Sequence, residues 1–291
     1  MVSFGHVRAH ITARPPGSPD GRVVLSAMGR GDSPIYCATP ALKFVLDGEE
    51  RYEVDGRIRV VRPGEFLLVE AGTRLRAILP RRDCTVGLCI YLRQDEWAPY
   101  VALAGDDDGA DERTGGRVMV LSASGTGLGR HLQSTGRILA AEPSRGDSMA
   151  ETICRTASHH LHSALADVRR GLAAIDAASG VTRRDLYSRL DRARAFLHDN
   201  PHRQVPLDEL AGIASLSQFH LLRSYKAAFG APPAAYHRRL RLDKAAAELV
   251  EGGRPPDSIG RLYGFGDIRS FRRAFVGRFG CPPKAYAQGR R

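Results

Sequence analysis

The 291-residue chain contains no run of about 18 consecutive apolar residues, so no membrane-spanning helix is expected. Nor does the stretch after Met1 form a continuous apolar segment, so no secretory signal is expected either. The five cysteines, Cys37, Cys84, Cys89, Cys154 and Cys281, are scattered and form no Cys-x-x-Cys pair. A zinc ribbon or a disulfide scaffold is therefore disfavoured, and a reducing, cytoplasmic setting is expected. Residues 20–125 contain no histidine, the commonest metal ligand. The glycine-rich run Ser122–Gly129 lacks the Gly-Lys-Ser/Thr ending of a phosphate loop and is read as a hinge. A nucleophile elbow is also missing. No catalytic residue, metal site or cofactor is assigned. Composition is otherwise that of a folded protein, with 43% apolar and 26% charged residues.

Charge is divided unevenly. The net charge is +11. Residues 1–180 hold 22 basic and 22 acidic side chains, whereas residues 181–291 hold 21 basic and 10 acidic. A basic segment joined to a neutral one points to a polyanion, nucleic acid or an acidic membrane surface, as partner of the second half alone.

Periodicity divides the chain as well. Residues 20–125 alternate short β-rich runs with turn signals: Ala41–Leu46 before Asp47-Gly48, Arg51–Val54 before Asp55-Gly56, Arg57–Val61 before Pro63-Gly64, and Glu65–Val69 before Ala71-Gly72. Cys84–Leu92 is a further strand candidate. Asp-Gly between alternating runs predicts hairpins, and spacing near ten residues predicts a sandwich or barrel. The acidic stretch Gly105–Gly116 reads as a loop. Beyond Met149, Ile153, Ala157, Leu161, Leu165, Val168, Leu172 and Ile175 recur at helical spacing. That stripe is either a dimer seam or a face packed on the β-region. Another helix carries Leu186, Leu190, Ala193, Phe196 and Leu197 and stops at Asn200-Pro201.

The basic segment contains a repeat. Ser217–Gly230 recurs about fifty residues later as Asp267–Gly280. Arg223 matches Arg273, Tyr225 matches Phe275, Phe229 matches Phe279, and Pro232-Pro233 with Tyr236 match Pro282-Pro283 with Tyr286. Each copy reads as a helix-turn-helix. Ser217 and Asp267 are N-caps, Gly230 and Gly280 are left-handed C-caps, and a shorter helix precedes each copy, Leu207–Ala214 and Pro256–Tyr263. Tyr236–Leu249 reads as the helix linking them. The second helix of such a unit enters the DNA major groove and presents its N-terminal half to base edges. Here that half carries Gln218, Phe219, Leu222 and Arg223 in the first copy, and Ile268, Arg269, Arg272 and Arg273 in the second. Arginine grips guanine bidentately and binds phosphate equally well. Leu222 and Ile268 either touch a thymine methyl or pack inward.

At these residues the sequence resembles the AraC/XylS family of bacterial transcription regulators over about residues 181–287. Leu210-Ala211, Ser217, His220-Leu221, Arg223, Phe229-Gly230, Pro233, Tyr236, Arg241-Leu242 and Ala245 match the first half of its signature. Gly264-Phe265, Asp267, Phe271, Arg273, Phe275, Phe279-Gly280, Pro283 and Tyr286 match the second. The resemblance implies two helix-turn-helix units on one long helix, reading successive major-groove segments. Three positions depart from the family pattern: Pro256 replaces an aliphatic residue, Gly260 an alanine and Ala287 an arginine. Gly260 is expected to cost ~1 kcal/mol against alanine and to leave the second unit's first helix short or weak. More weakly, Val54–Gly56, Val60–Val69 and Ala71–Thr73 resemble the middle strands of a cupin-like sensor domain. The histidine of metal-binding cupins is replaced by Leu75, so a cavity for an organic ligand is the better expectation. Strand alternation selects Phe44, Leu46, Tyr52, Arg74 and Arg76 as its lining.

The fold class expected is α+β. Residues 1–125 would form a cupin-like β-barrel sensor, 126–180 a helical connector and dimerisation segment, and 181–291 an all-α DNA-binding domain. The expected partners are promoter DNA, a small-molecule effector, a second copy of the chain and, for an activator, RNA polymerase; no membrane is expected. A cupin-type enzyme tethered to DNA is the alternative, which the missing histidines disfavour. A DNA-repair alkyl acceptor would need a clustered, metal-activated cysteine, absent from this spacing. His159, His160 and His162 read as surface or interface side chains, and Cys84 and Cys89 as buried thiols.

Overall fold

A computed structural model describes residues 3–7, 21–79, 84–93 and 118–288. The loop expected at Gly105–Gly116 lies outside them. The chain divides into two compact units, Met1–Ser188 and Arg189–Arg291.

In the first unit ten strands form two sheets: β1 (Ser3–Val7), β2 (Arg22–Met28), β3 (Gly31–Cys37), β4 (Ala41–Asp47), β5 (Glu50–Val54), β6 (Arg57–Val61), β7 (Glu65–Val69), β8 (Thr73–Leu79), β9 (Thr85–Tyr91) and β10 (Val118–Ser122). The larger sheet runs β1-β2-β9-β4-β7-β10 and the smaller β3-β8-β5-β6. Val24, Val45, Leu67 and Val120 of the larger sheet meet Cys37, Tyr52, Val61 and Leu75 of the smaller in one core. The two Asp-Gly signals have different outcomes. Asp55 and Gly56, both at positive φ, close the β5–β6 hairpin. Asp47-Gly48 instead carries the chain from one sheet to the other, because β4 pairs with β7 and β9 and β5 with β6 and β8.

Two helices complete this unit, α1 (Gly127–Ala141) and α2 (Gly146–Ala173). Thr126 caps α1, its hydroxyl accepting from the Gly129 N–H at 2.9 Å. A Cβ at Gly129 would run into the Ala123 carbonyl, so the Ser122–Gly129 run is a tight strand-to-helix turn and not a hinge. The α2 stripe is buried within the unit, and α2 packs on β1 and β2. Between the two readings of the stripe, packing on the β-region is the one observed.

The second unit is helical. Helix α3 (Gly180–Asp199) carries the boundary between units; α4 (Leu207–Ala214), α5 (Gln218–Phe229), α6 (Pro233–Glu251), α7 (Pro256–Leu262), α8 (Ile268–Phe279) and α9 (Pro283–Gln288) follow. At 1.5 Å per residue, α6 spans about 28 Å without a break. Near its start His237 donates through Nε2 to the Asn200 carbonyl at 3.1 Å, and Tyr236 meets His198 Nε2 at 2.8 Å. Midway, buried Arg241 donates through Nη1 to the carbonyls of Tyr263 at 3.2 Å and Gly264 at 2.9 Å, its guanidinium over the Phe265 ring. Further along, Glu248 accepts from the Tyr263 hydroxyl at 2.8 Å and from Arg254 at 2.9 Å. Gly264, at φ +69°, has no room for a Cβ beside Arg203, the His202 carbonyl and Arg241.

The expectation of a weak helix at Pro256–Tyr263 is corrected. Pro256 occupies the first turn of α7, where its missing N–H costs nothing. Gly260 is buried, and a Cβ there would stand 2.7 Å from the Phe271 ring. In the first repeat the equivalent positions are Ala211 and Leu221, both buried, and in the second they are Gly260 and Phe271. The glycine therefore matches a larger neighbour. Gly260→Ala is expected to destabilise the domain by ~1–3 kcal/mol through overpacking, despite its better helix propensity. Adding Phe271→Leu should recover part of that loss, which a double-mutant cycle by chemical denaturation measures.

Burial is the largest influence on His198 and His237 and holds both at about 4, with nearby Arg194 and Arg241 acting the same way. The ordinary histidine value is 6.5, so on acidification the unfolded chain takes up protons before the folded one. Stability should be fully present above pH 6.5 and decline as pH falls towards 4. Thermal melts across that range should show the decline, and His237→Gln should flatten it.

Candidate nucleic-acid interface

The two repeats build matching surfaces by the same local rules. In the first, Ser217 caps α5, its hydroxyl accepting from the His220 N–H at 3.3 Å. Leu221, Ser224 and Tyr225 face inward, and the Tyr225 ring packs on Phe229 and Tyr236. In the second, Asp267 caps α8, accepting from the Ser270 N–H at 2.8 Å and from its hydroxyl at 2.7 Å. Those hydrogen bonds hold the Asp267 carboxyl below the ordinary range. Phe271, Ala274 and Phe275 face inward, the two Phe rings packing at tilted or edge-on angles with Phe265, Phe279 and Tyr286. Gly230 and Gly280 end the two helices at φ 74° and 76°.

This burial sets what is left outside. On α5, Gln218, Phe219, Leu222 and Arg223 are exposed. Phe219 is 76% exposed and Leu222 38%, high for apolar side chains of their size. On α8, Arg269, Arg272 and Arg273 are exposed, and Ile268 is half-buried. Arg272 is oriented by Asp257 of α7, donating to both carboxylate oxygens at 2.9 and 3.1 Å. Lys226 and Val276, one turn further along, extend the two faces and were not picked from the sequence. Their repeat positions coincide, which was the available signal. Arg278 is held by Asp243 at 3.1 and 3.2 Å.

The five residues selected as a ligand lining do not stay together. Tyr52 lies in the core between the sheets. Phe44 and Leu46 lie on the opposite face of β4 from core residues Ala41 and Val45, and Leu46 packs against Gly136 of α1. Arg74 lies on the outer surface beside the Tyr36 ring, and Arg76 is exposed and paired with Asp32 and Glu53. Four of the five are therefore corrected: in this curved, helix-covered sheet, alternation identifies a face but not which face is inside. Lys43, on the inner face of β4, was passed over.

Neither the histidines of α2 nor any other group of three His, Cys, Asp or Glu side chains could hold a metal among the described residues. His162 is engaged by the Ser158 carbonyl at 2.6 Å, and His159 and His160 contact each other. Cys84 is exposed rather than buried, and Cys89 is half-buried. No described helix is long and apolar enough to cross a membrane.

Comparison with known proteins concentrates on the second unit. Residues 210–289 match a family model described as a helix-turn-helix domain. An AraC-like transcription regulator of Streptomyces lividans is 34% identical over 94 residues, 32% of this chain and 31% of its own length. The transcriptional activator RhaS of Enterobacter sp. (strain 638) is 34% identical over 103 residues, 35% of this chain and 37% of its own. The matched stretch thus spans about a third of these relatives. The solved C-terminal domain of AraT, a response regulator from Geobacillus stearothermophilus, aligns over 36% of this chain and 88% of its own at 24% identity, with a TM-score of 0.35. Residues 210–289 therefore carry a helix-turn-helix domain, and over this stretch the chain is similar to AraC-like transcription regulators.

Proposed function

We propose that the protein is a sequence-specific, DNA-binding transcription regulator controlled by a small molecule in its N-terminal unit. The observation that carries the reading is the pair of matching helices, α5 and α8, each presenting polar, basic or apolar reading groups over a buried, ring-packed face. The charge division supports it, since the excess of basic residues lies in the half that holds these helices. In this reading Arg223, Arg269, Arg272 and Arg273 contact guanine edges or phosphate. Gln218 contacts base edges, while Phe219, Leu222 and Ile268 meet thymine methyls. Residues 1–125 sense, 126–180 connect, and 181–291 bind DNA in the cytoplasm. The effector acts by favouring one of two arrangements of the chain, for only a difference in affinity between states shifts their balance. A second copy and, for an activator, RNA polymerase complete the partners. The α2 stripe does not supply the dimer interface, because it is buried within one chain.

In vitro selection of random duplexes on the full-length protein tests this. Two enriched blocks about 10 bp apart are expected. No enrichment by either the full chain or residues 181–291 would contradict the reading. On a selected duplex, Arg223→Ala and Arg273→Ala should each weaken binding by ~1–3 kcal/mol, measured by fluorescence anisotropy at fixed salt. Replacing single thymines by uracil removes only the methyl group. At one position within the first block this should weaken binding by the wild type and leave Phe219→Ala unaffected.

A further inference from the structure

An acid is joined to the basic face of α8. Asp257, in the first turn of α7, accepts from Arg272 Nη2 on both carboxylate oxygens, at 2.9 and 3.1 Å. The Asp257 side chain is 39% exposed and that of Arg272 58%. Arg269 and Arg273 are exposed on the same helix. For simple attachment to DNA the carboxylate is a cost, because it repels phosphate and offsets one of three arginines. It does little for the fold either, since exposed ion pairs contribute little stability.

A helix start favours an acid on its own account. The first repeat has one at the equivalent place in α4, Asp208. There Leu222 takes the place of Arg272, so the pairing has no counterpart. The contact also differs from the other arginine pair described for α8. Arg278 presents Nε and Nη2 together to Asp243, at 3.1 and 3.2 Å, which occupies a whole edge of its guanidinium. Arg272 gives Nη2 alone, and its Nε and Nη1 hold no hydrogen bond to any described residue. The carboxylate fixes the side chain and leaves donors over.

We propose that Asp257 is a positioning residue for base recognition: it holds Arg272 in one orientation towards a guanine of the second block and withholds it from the phosphates. The inference rests on the DNA-binding reading and adds to it a residue outside the reading helices that sets specificity. Arginine binds guanine and phosphate equally well, so an unconstrained arginine on such a face discriminates poorly. Fixing a long side chain beforehand removes part of the ordering cost of the correct contact. The carboxylate charge penalises the incorrect one.

The test uses the full-length protein and the selected duplex. Each base pair of the second block is replaced in turn. Binding is measured by fluorescence anisotropy for the wild type, Arg272→Ala, Asp257→Asn and the double variant. One guanine is expected whose replacement weakens wild-type binding by at least about fivefold and leaves Arg272→Ala nearly unaffected. At that position Asp257→Asn should cut the penalty by at least about threefold. The same variant should bind an unselected duplex more tightly. Its log affinity should fall more steeply with log salt, by about one unit of slope, as the freed arginine takes a phosphate. In the Arg272→Ala background, Asp257→Asn should change base preference no further. Asp257→Asn should melt close to the wild type; if it does not fold, Asp257→Ser carries the same comparison. The absence of any guanine whose preference depends on Arg272 would overturn the inference. So would unchanged base preference in Asp257→Asn, with selected and unselected duplexes weakened alike if the pair is only a strap between α7 and α8. Failure to select any duplex removes the DNA-binding reading and this inference with it, whereas either of the other two results on a selected duplex contradicts this inference alone.

Discussion

One unbroken helix sets the geometry of the C-terminal unit. Pro233–Glu251 is held near its start by His237 and Tyr236, and further along by Arg241 and Glu248. Arg241 is the tightest of these ties. A buried guanidinium gives two hydrogen bonds to the backbone of the turn before α8 and covers the Phe265 ring. Because those acceptors are main-chain carbonyls, the tie constrains the path of the turn and not merely the packing of a side chain. The separation of the two recognition helices follows from the length of a rigid rod and from what is fastened to each part of it.

On that frame the two copies have diverged in compensating ways. The first has a small and a medium residue at the equivalent buried positions, Ala211 and Leu221, and the second sets the smallest against a larger one, Gly260 and Phe271. The inner face of α8 carries two aromatic rings, Phe271 and Phe275, with Ala274 between them. Outside, the divergence is chemical: α5 offers Phe219 and Leu222 beside one arginine, whereas α8 offers three arginines. In the proposed reading, heads of such unlike character suit an asymmetric DNA site, which a single chain can then bind in one orientation only.

Much of this was legible in the sequence, for identifiable reasons. Caps and C-terminal glycines are local signals, so the recognition helices could be placed to within a residue from Ser217, Asp267, Gly230 and Gly280. The outward face that carries the eight proposed reading residues follows from the repeat, because two copies of one fold must bury the same positions. What was not legible depends on contacts between distant segments. Gly260 looks unfavourable until Phe271 is beside it. Asp47-Gly48 looks like a hairpin until its strands enter different sheets. The ligand lining failed for a related reason: Phe44 and Lys43 are neighbours on opposite faces, and only the positions of α1 and the smaller sheet decide which faces inward. Lys43 stands out locally, a charge between the apolar pairs Ala41-Leu42 and Phe44-Val45.

The central claim is that one rod fixes two reading heads at one spacing. It is tested most directly by measuring affinity for the selected duplex as base pairs are inserted between its two blocks. Inserting about five base pairs turns one block to the far face of the duplex and should reduce affinity to that of a single block. Affinity unchanged by that insertion would mean that only one helix-turn-helix reads DNA, and would contradict the account.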